Sequence, residues 1–106
     1  MNKNLESPVI DLIRTTVRQQ APDAEIILYG SRARGDARPD SDWDVLILVD
    51  NPQFDYKQRG EITYSVWFTG MEHNVDIDAF AYSKKQWENF PPTIYKYNVT
   101  KEGVRI

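Results

Sequence analysis

The sequence predicts a small α/β (α+β) domain: a mixed β-sheet flanked by helices packed mainly on one face. Three observations point there. Val45-Leu46-Ile47-Leu48-Val49 is apolar without a break, which suits a strand covered on both faces. Val75 to Tyr82 alternates, with Val75, Ile77 and Ala79 pointing one way and Asp76, Asp78 and Phe80 the other, as in a strand. Between them lies a segment long enough for the crossover that a parallel pair requires. The 106 residues are enough for one domain, taken as 1–106, and leave no room for a second. With 41% hydrophobic and 27% charged residues, the composition is globular rather than disordered.

The elements follow in order. Ser7-Pro8 opens a helix, the serine as cap and the proline in the first turn. Val9, Ile10, Leu12, Ile13 and Val17 then form its apolar stripe, and it stops near Gln20, before Ala21-Pro22-Asp23. Ala24 to Tyr29, with Ile26, Ile27 and Leu28, reads as a short buried strand ended by Gly30-Ser31. Arg32-Ala33-Arg34 makes one helical turn, broken at Gly35-Asp36, and Arg38-Pro39-Asp40-Ser41 is a loop. Trp43 to Val49 is the strongest strand. Phe54 to Met71 carries two signals: Ile62 to Phe68 has high strand propensity, while Ile62, Val66 and Trp67 keep helical spacing. The crossover requirement favours a helix. After the Val75–Tyr82 strand, Ser83 caps a helix containing Trp87, Pro91-Pro92 breaks it, and Ile94 to Tyr97 is one more helical segment. Gly103 precedes a short tail, Val104-Arg105-Ile106.

Several function classes are excluded or disfavoured. A formal net charge of −3 does not describe a general nucleic-acid binder. The absence of cysteine rules out disulfides and thiolate metal sites. No basic segment followed by an apolar run opens the chain, and no stretch approaches the roughly 20 apolar residues of a membrane span. A cytoplasmic location is the expectation.

Chemistry gathers at three points. Gly30-Ser31 follows a strand directly: glycine lets a ligand approach the backbone, the amides of the next turn face outward, and the serine hydroxyl adds a donor. Alone, such a glycine is usually only a turn. Asp42-Trp43-Asp44 heads the apolar strand, with both aspartates on one face and Trp43 on the other beside Val45 and Ile47. Two neighbouring carboxylates repel unless a cation lies between them, and their oxygens suit Mg²⁺. The bland alternative is a pair of solvated loop acids. The third point is Asp76 or Asp78 within the later strand, where an acid flanked by apolar residues needs a reason. If that strand lies beside the first, three carboxylates could hold two divalent ions; an edge strand with one wet face would account for both acids equally.

In order these features run strand, Gly-Ser, ten residues, Asp-x-Asp heading a strand, crossover, acid within a strand. Gly30-Ser31-Arg32-Ala33-Arg34-Gly35, followed by Ser41-Asp42-Trp43-Asp44-Val45, closely resembles the minimal nucleotidyltransferases, small relatives of the polymerase-beta-type superfamily. The resemblance implies a Mg²⁺-dependent transfer of a nucleoside monophosphate, AMP by abundance, from ATP or another NTP to an acceptor hydroxyl. It implies that Gly30 and Ser31 hold the triphosphate and that Asp42 and Asp44 bind two Mg²⁺ ions. It implies too a third acid on the neighbouring strand, which in relatives sits about five residues before the cap of the next helix; Ser83 as that cap selects Asp78, with Asp76 as the alternative. Arg32 and Arg34 are the nearest cations to the turn and either neutralise the triphosphate or pair with Asp36 or Asp40. Lone His73 reads as a solvated loop residue, and Tyr29, Tyr82 and Trp87 as core rather than base-stacking platforms.

So short a domain has little surface for an acceptor pocket. The resemblance suggests a small helical partner of the HEPN type, with this chain as the antitoxin that transfers AMP onto a tyrosine of a toxic RNase. The rivals are transfer to a small molecule such as an aminoglycoside by a homodimer, a non-catalytic nucleotide- or partner-binding module, and an α/β domain whose acids are all solvated.

Overall fold

A computed structural model describes residues 7–106 of the chain; the first six residues of the expected 1–106 domain lie outside the described residues. Helix α1 (Pro8–Gln20) begins as its sequence dictates: Ser7 Oγ accepts a hydrogen bond from the Val9 amide, and Pro8 stands at the first position. Strand β1 (Glu25–Tyr29) leads into the single turn α2 (Ser31–Arg34), and β2 (Trp43–Val49) has the bounds expected of it. The segment with two signals is helix α3 (Tyr56–Glu72). Asp55 caps it, accepting from the Gln58 amide while the Gln58 side chain accepts from the Asp55 amide. Strand β3 (Ile77–Ser83), the short helices α4 (Lys84–Glu88) and α5 (Ile94–Glu102), and β4 (Val104–Arg105) complete the order.

The four strands form one mixed sheet in the order β3-β2-β1-β4. β1 is antiparallel to β2 and to β4, and β2 is parallel to β3, so α3 is the crossover that this parallel pair needs. α1 and α3 cover one face. There Ile10, Ile13 and Val17 of α1 and Ile62 and Val66 of α3 pack with Ile26, Leu28, Trp43, Val45, Ile47 and Ile77 in one buried cluster. The other face is smaller: Leu46 and Leu48 pack with Val99 of α5, against Ile27, Tyr29, Tyr82, Trp87 and Tyr95. β2 is therefore covered on both sides, the physical reason for its unbroken apolar run. Tyr29, Tyr82 and Trp87 are half-buried members of this aromatic layer, as expected.

Three boundaries differ from expectation. β3 starts at Ile77 rather than Val75, because the Val75 amide donates to Gly70 O, closing the end of α3, and Asn74 adopts φ 58° to make the turn. α5 continues to Glu102, well past Tyr97. Beyond it the expected tail is a strand, pairing Val104 with Leu28 and Arg105 with Ile27; two residues carry too little pattern to announce one. Among the described residues, no helix is long and apolar enough to cross a membrane.

Candidate active site

Register decides which side chains meet. Asp44, near the start of β2, lies opposite Asp78 on β3 and opposite Tyr29 on β1. The strand alternation that sends Trp43, Val45 and Ile47 into the α1–α3 core turns Asp44 to the opposite face. Tyr29 is followed directly by Gly30, which has φ 75°, a conformation that favours glycine. A Cβ built on Gly30 would come within 2.5 Å of Asp44 Oδ2, so only glycine lets the turn and the carboxylate lie this close. Gly30 O accepts from the amides of Ala33 and Arg34, which winds α2 immediately after the turn. Gly30, Ser31, Asp42, Asp44 and Asp78 thus gather at one end of the sheet, as the motif predicts.

Both candidates for the third acid are at this end. Asp78 is matched to Asp44 by register. Asp76 precedes β3, its carbonyl accepts from the Trp43 amide, and its carboxyl is close enough to Asp42 to act on it. The acids act on one another. Partial burial, then the charges of Asp78 and Asp42, push the Asp44 carboxyl up to about 6, while Arg34 opposes the shift. The charge of Asp76 chiefly, with desolvation, raises that of Asp42. Below these acids the hydroxyls of Tyr29 and Tyr95 are 3.3 Å apart. Burial, that hydrogen bond and the nearby acids raise the Tyr29 hydroxyl far above its ordinary range, which keeps it neutral.

The donor set fits Mg²⁺ in kind: hard oxygens with surplus negative charge. Among the described residues, however, no three side chains stand as a finished ligand cage. Asp44 stands opposite Asp78 in register, and Asp42 lies close enough to Asp76 and Asp44 for their charges to act on one another. That suits a cation that uses one or two carboxylates and takes its remaining ligands from water and substrate phosphates.

The two arginines part company. Arg32 Nη2 donates to the carbonyls of Pro39 and Ser41, and its guanidinium lies 4.6 Å from the centre of the Trp43 ring. It braces the loop that delivers Asp42. Arg34 stays beside the turn, donating through Nε to Asp36 and through Nη1 to both carboxylate oxygens of Glu102. Asp36 was one of the surface partners foreseen for it. Glu102 was not foreseen: it arrives from the end of α5, and its Oε2 also accepts from the Gly30 amide at 3.3 Å. Nothing in the local sequence announces a contact between residues 30 and 102. His73 is exposed, with Nδ1 2.9 Å from Thr69 O, as a loop residue would be. A depression of about 430 Å³ lies at the other end of β2 among Val49, Phe54, Gln58 and Ile62 and contains no residue of the motif.

The site sets a glycine turn against one carboxylate of a group of acids, and the chain belongs to the nucleotidyltransferase domain family, whose profile matches residues 10–98. The chain is a nucleotidyltransferase, and its likeness within that class is to adenylyltransferases. It is 23% identical over 99 residues, 93% of this chain and 86% of the relative, to "Probable protein adenylyltransferase MntA" of Haemophilus influenzae. Its fold is that of the crystal structure of a toxin–antitoxin with AMP-PNP, at a TM-score of 0.63 and 21% identity, over 90% of this chain and 69% of that one. A mutant of the toxin–antitoxin MntA-HpeT matches at a TM-score of 0.61 and 18% identity, over the same 90% and 69%. The resemblance to minimal nucleotidyltransferases read from Gly30 to Val45 is borne out.

Proposed function

We propose that this chain transfers AMP from ATP, with Mg²⁺, to a hydroxyl of a partner protein, as the antitoxin half of a toxin–antitoxin pair whose other member is a helical HEPN-type protein. The observation that carries the reading is the position of Asp44, against the Gly30 turn on one side and opposite Asp78 on the other. A triphosphate at Gly30-Ser31 would bring its α-phosphorus over Asp44, and an acceptor arriving from the β3 side would meet it in line. The adenylyl group and the partner are supported by the relatives' names and AMP-PNP complex rather than by a residue here.

Asp42 and Asp44 would hold Mg²⁺ with Asp78 as the third carboxylate, and the metal would neutralise charge on the phosphates and the leaving pyrophosphate. Gly30 lends its amide and Ser31 its hydroxyl to the phosphates, and Arg34 adds a positive charge. Asp78 takes the proton of the attacking hydroxyl. The new bond joins that oxygen to the α-phosphorus while the bond to the bridging oxygen of the pyrophosphate breaks. Much of the rate would come from this positioning. Arg32 we assign to the Pro39–Asp42 loop rather than to the nucleotide.

Intact-mass spectrometry tests the reading. The chain is incubated with Mg²⁺ and ATP, with and without the product of the adjacent gene, beside Asp44→Asn. A gain of one AMP on the partner, absent with the variant, is the expected result. No gain on any protein, with pyrophosphate released only in the presence of an aminoglycoside or another small acceptor, would overturn the protein-acceptor reading.

A further inference from the structure

The Gly30 turn already holds an anion, supplied by the chain itself. Glu102 Oε2 lies 3.3 Å from the Gly30 amide nitrogen, and both Glu102 oxygens lie 3.1 Å from Arg34 Nη1. Those are two of the three groups, with the Ser31 hydroxyl, that the proposed function assigns to the phosphates. Glu102 is well fixed in space. The Gly103 amide donates to Val99 O at 2.7 Å, closing α5, and the next two residues pair with β1 as β4. Gly103 packs against Ile27 and the Val99 carbonyl with no room for a Cβ. β1 ends at Tyr29, directly before the turn, so the strand that carries Gly30 also anchors the segment that carries Glu102. The backbone is held on both sides of Glu102, while its side chain can swing about its own torsions.

We infer that Glu102 is a resident competitor for the triphosphate. It occupies the phosphate position of the Gly30 turn and holds Arg34 in the nucleotide-free protein, and it must swing out for ATP to bind. Its strength sets the nucleotide affinity of the site, because a site open for only a fraction of the time binds more weakly by that fraction. The Arg34–Glu102 pair is partly exposed, with side-chain accessibilities of 45% and 21%, so the competition is moderate rather than absolute. This inference rests on the reading of Gly30-Ser31 as the phosphate site.

The test is calorimetric titration of the purified chain with a Mg²⁺-loaded, non-hydrolysable ATP analogue, and separately with inorganic tripolyphosphate. Wild type, Glu102→Gln, Glu102→Ala and Ser31→Ala are compared, with thermal melts to verify folding. Glu102→Gln keeps the size of the side chain and removes its charge. Both Glu102 variants are expected to bind the analogue about five- to tenfold more tightly, with the same gain for tripolyphosphate, because the competition is for phosphate and not for base. Ser31→Ala is expected to weaken both ligands. Unchanged or weaker binding in folded Glu102→Gln, with Ser31→Ala still weakened, would overturn the competitor role and leave the phosphate site standing. Binding that is absent in wild type, or indifferent to Ser31→Ala, would overturn the phosphate site and this inference together.

Discussion

The two halves of the site stand in opposite electrostatic states. At the start of β2 and β3, Asp42, Asp44, Asp76 and Asp78 crowd like charges together; partial burial and these charges raise the Asp44 carboxyl, and the charge of Asp76 chiefly raises that of Asp42. On the β1 side, the Gly30 amide and Arg34 are matched by Glu102 and Asp36. One half lacks positive charge; the other carries its own negative charge. A metal–triphosphate complex would supply what the first lacks and compete with what the second holds. Under the proposed function, repulsion in the first half and satisfaction in the second would both respond to the same ligand.

That contrast can be broken most severely at Asp44. Asp44→Asn removes the carboxylate that faces both halves, and we expect transfer to fall on the order of 10³-fold or more, since metal stabilisation of phosphoryl charge is worth several kcal/mol. Because the substitution also relieves repulsion, thermal stability should not fall. Pyrophosphate release together with a melting curve checks both; turnover like wild type would end the metal-ligand assignment.

The acidic half can be sharpened by comparing its two later acids. Asp78→Asn should cost on the order of 10²-fold in rate and Asp76→Asn less than about tenfold, because Asp78 alone stands opposite Asp44 in register. Single-turnover rates decide, and a reversed order would make Asp76 the third carboxylate. On the phosphate side, Gly30→Ala puts a Cβ against Asp44 Oδ2 at a positive φ. A loss of roughly 1–3 kcal/mol in denaturant stability is expected from the strained backbone, with weaker nucleotide binding; an unperturbed variant would mean that the turn is not tightly set.

The smallest expected effect is a dependence on pH. The Asp44 carboxyl is pushed up to about 6 from an ordinary 3.8, so the metal-free folded state holds that proton more tightly than the unfolded chain does. The stability contribution of this group is full below about pH 4 and is lost as the pH rises through about 6. Mg²⁺ binds the ionised carboxylate and should offset the loss. Saturating Mg²⁺ is therefore expected to raise Tm by a few degrees more near pH 7.5 than near pH 5, an increment absent in Asp44→Asn. Equal gains at the two values would remove Asp44 from the metal site.

Much of this was legible because it is local. Gly30-Ser31, the ten-residue spacing and Asp42-x-Asp44 lie on one stretch of chain, and the unbroken run of β2 states its burial directly. α3 was harder for a physical reason. Ile62, Val66 and Gly70 are buried, while Tyr64, Trp67, Phe68 and Met71 form a second, exposed apolar stripe, so no single period dominates. The Asp55–Gln58 capping box was the local signal that could have decided it. Glu102 had no such signal. Its meeting with Gly30 depends on α5 and β4 folding back along β1, and its spacing from the motif carries no information about that path.

The order of the strands has a consequence for how the molecule behaves in solution. β4 shields the outer side of β1, but β3 closes the sheet on its other side with no strand beyond it among the described residues. A seven-residue edge, engaged at Ala81 O by the Arg59 side chain, invites a neighbouring molecule to add a strand. Asp76 and Asp78, both exposed, lie just before and within that edge. Two copies laid edge to edge would bring these charges against one another, so acids placed at the proposed site would also guard against polymerisation. Neutralising both at once would remove that guard, and such a variant is expected to self-associate more readily than the wild type, which light scattering checks.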